Sequence, residues 1–186
     1  MASRGRALGI AESYQTDQST LCAACTTPAG RPDGFWFSQC TVGGLDATAA
    51  ILDLWEHIAR ADIQYVFVSG VALAWYNIVD LQELSETIPV PVLSLSYESS
   101  AGLGKSIKSE FSGEDERTRL ERYRALPDRH QINLETGTIY VRTADECSIA
   151  LRDLLETYTI DGGRPEPVRI ARLAARAADR WHRVSP

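Results

Sequence analysis

The sequence predicts an α/β fold in three layers: a mixed five-stranded central sheet flanked by helices, with a C-terminal hairpin and helices. Three observations carry this expectation. Residues Gln64–Ser69 are a short, near-continuous run of β-formers, the pattern of a parallel strand buried on both faces. Three strand-like segments lie between Arg6 and Val42 with only short loops between them, which suggests an antiparallel meander. After them, Ala50, Ile51, Leu54, Trp55 and Ile58 fall on one helical stripe. At 186 residues the chain is sized for one domain spanning 1–186, and 44% hydrophobic content suffices for a packed core.

In chain order, Arg6–Glu12 is the first strand, weakened slightly by Gly9, and Ser19–Thr26 is the second. The turn Pro28–Gly34 leads into an aromatic third strand, Gly34–Val42. Gly43-Gly44 breaks the chain, and Asp46 opens a helix that runs to about Arg60. The Gln64–Ser69 strand ends on the small polar turn Ser69-Gly70. Asn77, with Asp80 three residues on, reads as the capped start of a helix to Thr87. Pro91–Tyr97 is the fifth strand. Ala101–Phe111 follows as a helix. Glu114–Leu126 is charge-dense, a surface helix or mobile loop whose apolar anchors are Leu120, Tyr123 and Leu126. Gln131–Thr143 reads as a hairpin about Thr136-Gly137, Asp145–Thr157 as a helix, Asp161–Pro167 as a linker and Glu166–Trp181 as the last helix.

Three meandering strands followed by strand–helix–strand units is the order of the ribonuclease H-like fold. There the first and fourth strands lie side by side at the sheet centre. That order brings Glu12 and Ser69 to neighbouring strand ends, with Asp46 arriving from the start of the first helix. In open α/β sheets ligands bind beyond the carboxyl ends of such strands, so the site is expected there.

A net charge of −6 argues against bulk attraction to nucleic acid or an anionic membrane, but leaves room for a local basic patch. All but two of the 19 basic residues are arginines, the exceptions being Lys105 and Lys108, so cationic chemistry here is guanidinium chemistry. No apolar run approaches the roughly 20 residues a bilayer requires, and the opening MASRGRALGI is not a signal peptide, so the expected location is the cytoplasm. Cys22, Cys25, Cys40 and Cys147 read as reduced, buried thiols; in a strand, residues three apart such as Cys22 and Cys25 face opposite sides and chelate poorly.

Glu12 and Asp46 are the sharpest chemical pair. Acids converging at a strand end can hold Mg²⁺ or Mn²⁺, and paired ions can activate water and stabilise a leaving phosphate oxygen. For Asp46 a plain helix N-cap is the competing role. AGLGKS (Ala101–Ser106) resembles the end of a phosphate-binding loop, but Ser99 stands where the pattern requires its first glycine. On the last helix Arg169, Arg172, Arg176, Arg180 and Arg183 share a face, opposite an expected core stripe of Ile170, Leu173, Ala174, Ala177 and Trp181. Those arginines suit phosphates or simply a solvated face.

The segments Ala7–Tyr14, Phe35–Thr48, Val66–Leu81, Ile88–Glu98 and Gly162–Ala177, with the GGxDAT and YNIVDL motifs at Gly43–Thr48 and Tyr76–Leu81, together resemble one family. It is the archaeal domain of unknown function ninety-nine, called endonuclease dU and related to endonuclease V. The resemblance covers nearly the whole chain. It implies a ribonuclease H-like fold and metal-assisted cleavage of DNA at deaminated bases, chiefly deoxyuridine. Carried over from endonuclease V, the first-strand aspartate falls nearest Glu12, the helix-start glutamate at Asp46 and the third carboxylate at Ser69. The catalytic lysine falls near Tyr97 and the C-terminal acid at Arg172. Asp80 is a substitute ligand within conceivable reach. The expected catalytic set is therefore Glu12, Asp46, Ser69 and Asp80, with Mg²⁺ or Mn²⁺ on Glu12 and Asp46. Tyr14, Thr48, Asn77, Tyr97, Arg169 and Arg172 are expected at the DNA. The alternatives are a non-catalytic nucleic-acid-binding relative and, more remotely, a nucleotide binder using AGLGKS.

Overall fold

The structure, a computed structural model, describes residues 5–145 and 150–184. Cys147 and the Arg183 side chain lie outside what is described. Strands β1 (Arg6–Tyr14), β2 (Gln18–Thr26) and β3 (Pro32–Thr41) form the antiparallel meander. Helix α1 (Ala47–Ile58) crosses to β4 (Ile63–Val68), which pairs in parallel with β1. A two-stranded ribbon, β5 (Ala72–Leu73) and β6 (Asn77–Ile78), and helix α2 (Leu81–Thr87) lead to β7 (Val92–Ser96), parallel to β4. Helices α3 (Gly104–Glu110) and α4 (Gly113–Ala125), the hairpin β8 (His130–Leu134)–β9 (Gly137–Arg142), and helices α5 (Leu151–Tyr158) and α6 (Glu166–Val184) complete the order.

The first and fourth strands are neighbours, as the element order predicts, in a sheet ordered β3-β2-β1-β4-β7-β9-β8. The sheet has seven strands rather than five because the hairpin is not separate: β9 pairs antiparallel to β7. Without it β7 would present an open edge, and Ile139 and Val141 would lose their contacts with Leu93 and Leu95. Burial on both faces follows from alternation along the strands. Leu8, Ile10, Val66 and Val68 face Ile51 and Leu54 of α1 and Leu81 and Leu84 of α2. Ala7, Tyr65 and Phe67 face Leu154, Leu155 and Tyr158 of α5.

The last helix sits on a different face from the one its large apolar residues predict. Its buried hydrophobic positions include Val168, Ala171 and Ala175, with Glu166 and Asp179 buried beside them, whereas Leu173 is 54% and Trp181 69% exposed. Close approach is the reason. A Cβ on Gly9 would lie 2.0 Å from the Pro167 carbonyl carbon, and Ala11, Ala24 and Ala171 cluster between sheet and helix. Only small side chains fit an interface this tight. Gly9, which reads as a weak point in a strand, is what lets α6 lie down on β1.

Two further segments depart from expectation. Asn77 does not start a helix; it lies in the ribbon, and α2 begins after Asp80, whose carboxylate accepts from the Gln82 and Glu83 amides at 3.0 and 3.1 Å. The ribbon turns through Ala74, Trp75 and Tyr76 at φ 41°, 57° and 60°, three successive left-handed non-glycine residues. Phe111 stabilises that turn, with ring centroids 5.2 Å from Trp75 and 5.7 Å from Tyr76. The charge-dense segment is an ordered helix, α4, seated by Leu120 and by Arg119, which is 2% exposed. Its guanidinium lies 4.0 Å over Phe111 and donates to the Gly43 and Gly44 carbonyls, so α4 clamps the glycine turn before α1.

Candidate functional site

Glu12 lies on β1 and Asp46 at the start of α1. Both carboxylates bear on the Cys40 thiol, which burial first, then the two acids, push up to about 12. Each, however, has internal work. Ser19 Oγ donates to Glu12 Oε2 at 2.9 Å. Asp46 does not cap its own helix; it accepts from the Thr41 amide at 3.1 Å, Thr41 Oγ1 at 2.8 Å and Asn77 Nδ2 at 2.7 Å. Burial opposes ionisation there, but the Asn77 and Thr41 hydrogen bonds outweigh it and hold the Asp46 carboxyl below the usual aspartate range.

Asn77 is the hub. Its Oδ1 accepts from the Ala47 amide at 2.9 Å, capping α1 from outside, and its Nδ2 also donates to the Thr41 carbonyl at 2.9 Å. The Gly43 amide donates to the Ala74 carbonyl at 2.7 Å with φ at 68°, tying the glycine turn to the ribbon. Thr48 is buried and its Oγ1 accepts from the Asp80 amide at 2.9 Å. Thr48 and Asn77, expected at the substrate, are thus buried struts, and Asp80, expected as a spare ligand, is the cap of α2.

The other half of the site is cationic. Beyond the carboxyl ends of β4 and β7 a pocket of about 620 Å³ opens, lined by Ser69, Tyr97, Arg129, Arg142, Arg164 and Arg172 among others. Ser69 is placed by its amide, which donates to the Ile10 carbonyl at 2.9 Å and extends the β1–β4 ladder to the pocket rim. Arg129 Nη2 donates to Ser96 Oγ at 2.9 Å and to the Glu98 carbonyl at 2.6 Å, with its guanidinium 4.0 Å over Tyr140. Arg142 donates to the Pro127 carbonyl. Arg164 lies 4.5 Å over the Tyr97 ring. Burial, then the nearby Arg176 and Arg164 charges, lower the Arg172 pKa, and Glu12 partly offsets them. Arg164, Arg169, Arg172 and Arg176 also line an adjoining groove of about 310 Å³. Arg169 is held by Glu166 at 2.6 Å, and Tyr14 is exposed at the end of β1.

The expected metal does not fit these donors. Among the described residues no three or more His, Cys, Asp or Glu side chains gather as a cation cluster. Asp46 is taken up by Thr41 and Asn77, Ser69 offers a neutral hydroxyl, and Arg172 brings a positive charge toward Glu12. Mg²⁺ or Mn²⁺ prefers several oxygen anions in one shell. The AGLGKS segment also departs from a phosphate loop. The Gly102 and Leu103 amides donate to Ser100 Oγ and Tyr123 Oη, and Lys105 points to solvent. Its backbone forms one wall of the pocket instead.

Arg129, Arg142 and Arg164 were not singled out by pattern. They converge only because the hairpin joins the sheet and the 161–167 linker returns over it. The one available signal was the overwhelming preference for arginine over lysine.

A mixed sheet with parallel β1, β4 and β7 at its centre is the ribonuclease H-like fold, which endonuclease V shares. Ciona intestinalis endonuclease V, solved with a DNA containing an inosine, superimposes with a TM-score of 0.61 at 10% identity, covering 96% of this chain and 87% of that one. The chain belongs to the endonuclease dU family, which it matches over residues 3–179. A UPF0215 protein of Archaeoglobus fulgidus is 29% identical over 178 residues, 92% of each chain. A solved protein of unknown function from Archaeoglobus fulgidus gives a TM-score of 0.82 at 25% identity, covering 94% of this chain and 98% of that one. No helix among the described residues is long and apolar enough to cross a membrane.

Proposed function

We propose that this protein is a DNA repair endonuclease that hydrolyses a phosphodiester near a deaminated base, chiefly deoxyuridine. The observation that carries the reading is the arginine-lined pocket at the carboxyl ends of β4 and β7, beside Glu12, in a chain of the endonuclease dU family. A partner containing a deaminated base is supported by the inosine-containing DNA held by the Ciona protein. In this reading Arg164 and Arg172 bear the charge of the scissile phosphate, since guanidinium forks match its oxygens. The Glu12 carboxylate orients the attacking water, and Tyr14 and Arg169 contact the strand.

The test is nicking of an end-labelled duplex carrying one deoxyuridine, with Mg²⁺, Mn²⁺ or EDTA. Cleavage confined to the uracil strand and abolished by Glu12→Gln supports the proposal; cleavage untouched by both Glu12→Gln and Asp46→Asn removes these residues from it. A second reading, a DNA-binding relative without chemistry, is favoured by the full hydrogen-bonding of Asp46. Tight binding of the uracil duplex with no nicking under any ion would establish it instead.

A further inference from the structure

We propose that the pocket holds the phosphate of a deoxynucleotide directly on guanidinium groups, with Arg164 and Arg172 as its principal ligands and no divalent cation between protein and phosphate. The inference deepens the nuclease reading and rests on it for the identity of the nucleotide; the phosphate site stands on geometry.

The lining brings four guanidiniums against one carboxylate, that of Glu98, which is exposed, in a protein whose overall charge is −6. Two of the four are fixed to backbone carbonyls and form a rigid wall: Arg129 to Glu98 and Arg142 to Pro127. The other two make no hydrogen bond or close ion pair among the described residues, and Glu12 acts on Arg172 only from a distance. Arg164 is held flat over Tyr97, and Arg172 is half-buried on the face of α6 that borders the pocket. Flat forks held in this way suit two phosphate oxygens each.

The Tyr97 hydroxyl is buried with no hydrogen-bond partner among the described residues, and burial pushes its pKa up to about 12, so at neutral pH it offers a donor. Like-charge crowding at Arg172 is the state an anion relieves. A cation would meet hydroxyls, four repelling guanidiniums and the single exposed Glu98 carboxylate on this lining. Arg164 and Arg172 also open onto the second groove with Arg169 and Arg176, which continues the positive track across α6.

Isothermal titration of the full chain with dUMP, with deoxyuridine and with a 5′-phosphorylated hexadeoxynucleotide, each in EDTA and in Mg²⁺, tests the site. Expected are binding of a phosphorylated probe in EDTA, deoxyuridine at least about tenfold weaker, and about tenfold losses for Arg164→Gln and Arg172→Gln. Binding of dUMP alone points to a free mononucleotide, and binding of the oligonucleotide to a strand. Arg172→Lys, which keeps charge without the fork, should show a smaller loss and serves if the Gln variant does not fold. Binding only with Mg²⁺, equal binding of deoxyuridine, no binding of any phosphorylated probe, or folded variants indistinguishable from the parent would overturn the proposal. Phosphate binding without uracil-directed nicking sinks the nuclease reading and spares the site; nicking without phosphate binding does the reverse.

Discussion

The acidic corner around Asp46 and the arginine pocket around Arg172 lie at the same end of the sheet, yet they treat charge in opposite ways. At Asp46 every nearby donor is aimed at the carboxylate: two groups of Thr41 and the amide of Asn77. At Arg172 the neighbours are other guanidiniums, and burial with Arg176 and Arg164 works against its charge. A charge satisfied from within stabilises the fold, and a charge left crowded is available to a ligand. The difference teaches that Asp46 holds the α1 corner together, while the arginines keep charge that the fold leaves unsatisfied.

The strongest way to break this contrast is at Asn77. Asn77→Ala removes three hydrogen bonds from a fully buried hub, and unfolding free energy should fall by about 3 kcal/mol in a urea titration. A loss below about 1 kcal/mol would mean the corner is not held this way. On the cationic side, Arg164→Gln with Arg172→Gln should weaken binding of uracil-containing duplex at least about tenfold. The double variant should also lower the log–log salt slope by roughly 2, because two phosphate contacts are removed. An unchanged slope would place the DNA elsewhere.

Smaller effects sharpen the comparison. Tyr97→Phe deletes a buried hydroxyl with no hydrogen-bond partner among the described residues while keeping the ring beneath Arg164, and stability should rise by about 1 kcal/mol in thermal unfolding. For Asp46 the folded pKa lies below the ordinary 3.8, so its contribution is fully present above that value. It is lost as pH falls through the lower folded value. Asp46→Asn should therefore flatten the acid limb of the stability profile below about pH 4 and leave its shape at neutral pH alone, as read by denaturant midpoints. The smallest effect is expected at Lys105: Lys105→Ala should leave DNA affinity within about twofold, since the side chain is exposed and outside the pocket lining.

Much of the architecture was legible because it depends on period-two and helical patterning. The Gln64–Ser69 run, the meander and the α1 stripe each announce a buried face, and β1 beside β4 follows from their order. Pattern failed where fit matters more than hydrophobicity. Leu173 and Trp181 look like core, but the close approach of α6 to Gly9 turns its smaller residues, Val168, Ala171 and Ala175, to the sheet. Arg119 looks like surface charge, but it reaches two carbonyls over seventy residues away in sequence. At the site, Glu12, Ser69 and Arg172 could be placed from strand order and family likeness. The partners that decide their chemistry, Ser19, Arg129, Arg142 and Arg164, meet them only in three dimensions.

The tight seat of α6 also sets a timetable for the chain. The helix covers β1 and β2 from more than 140 residues further along the sequence, so their small-residue face at Gly9, Ala11 and Ala24 stays bare until α6 has been made. Long-range closures of this kind come late and slow a fold that depends on them. A nascent chain stalled before Glu166 would hold a nearly complete sheet with one uncovered apolar strip, a surface suited to holdase chaperones or to self-association. The pocket would be missing Arg172 at that moment. Competence to bind and protection from aggregation therefore arrive together, with the same helix.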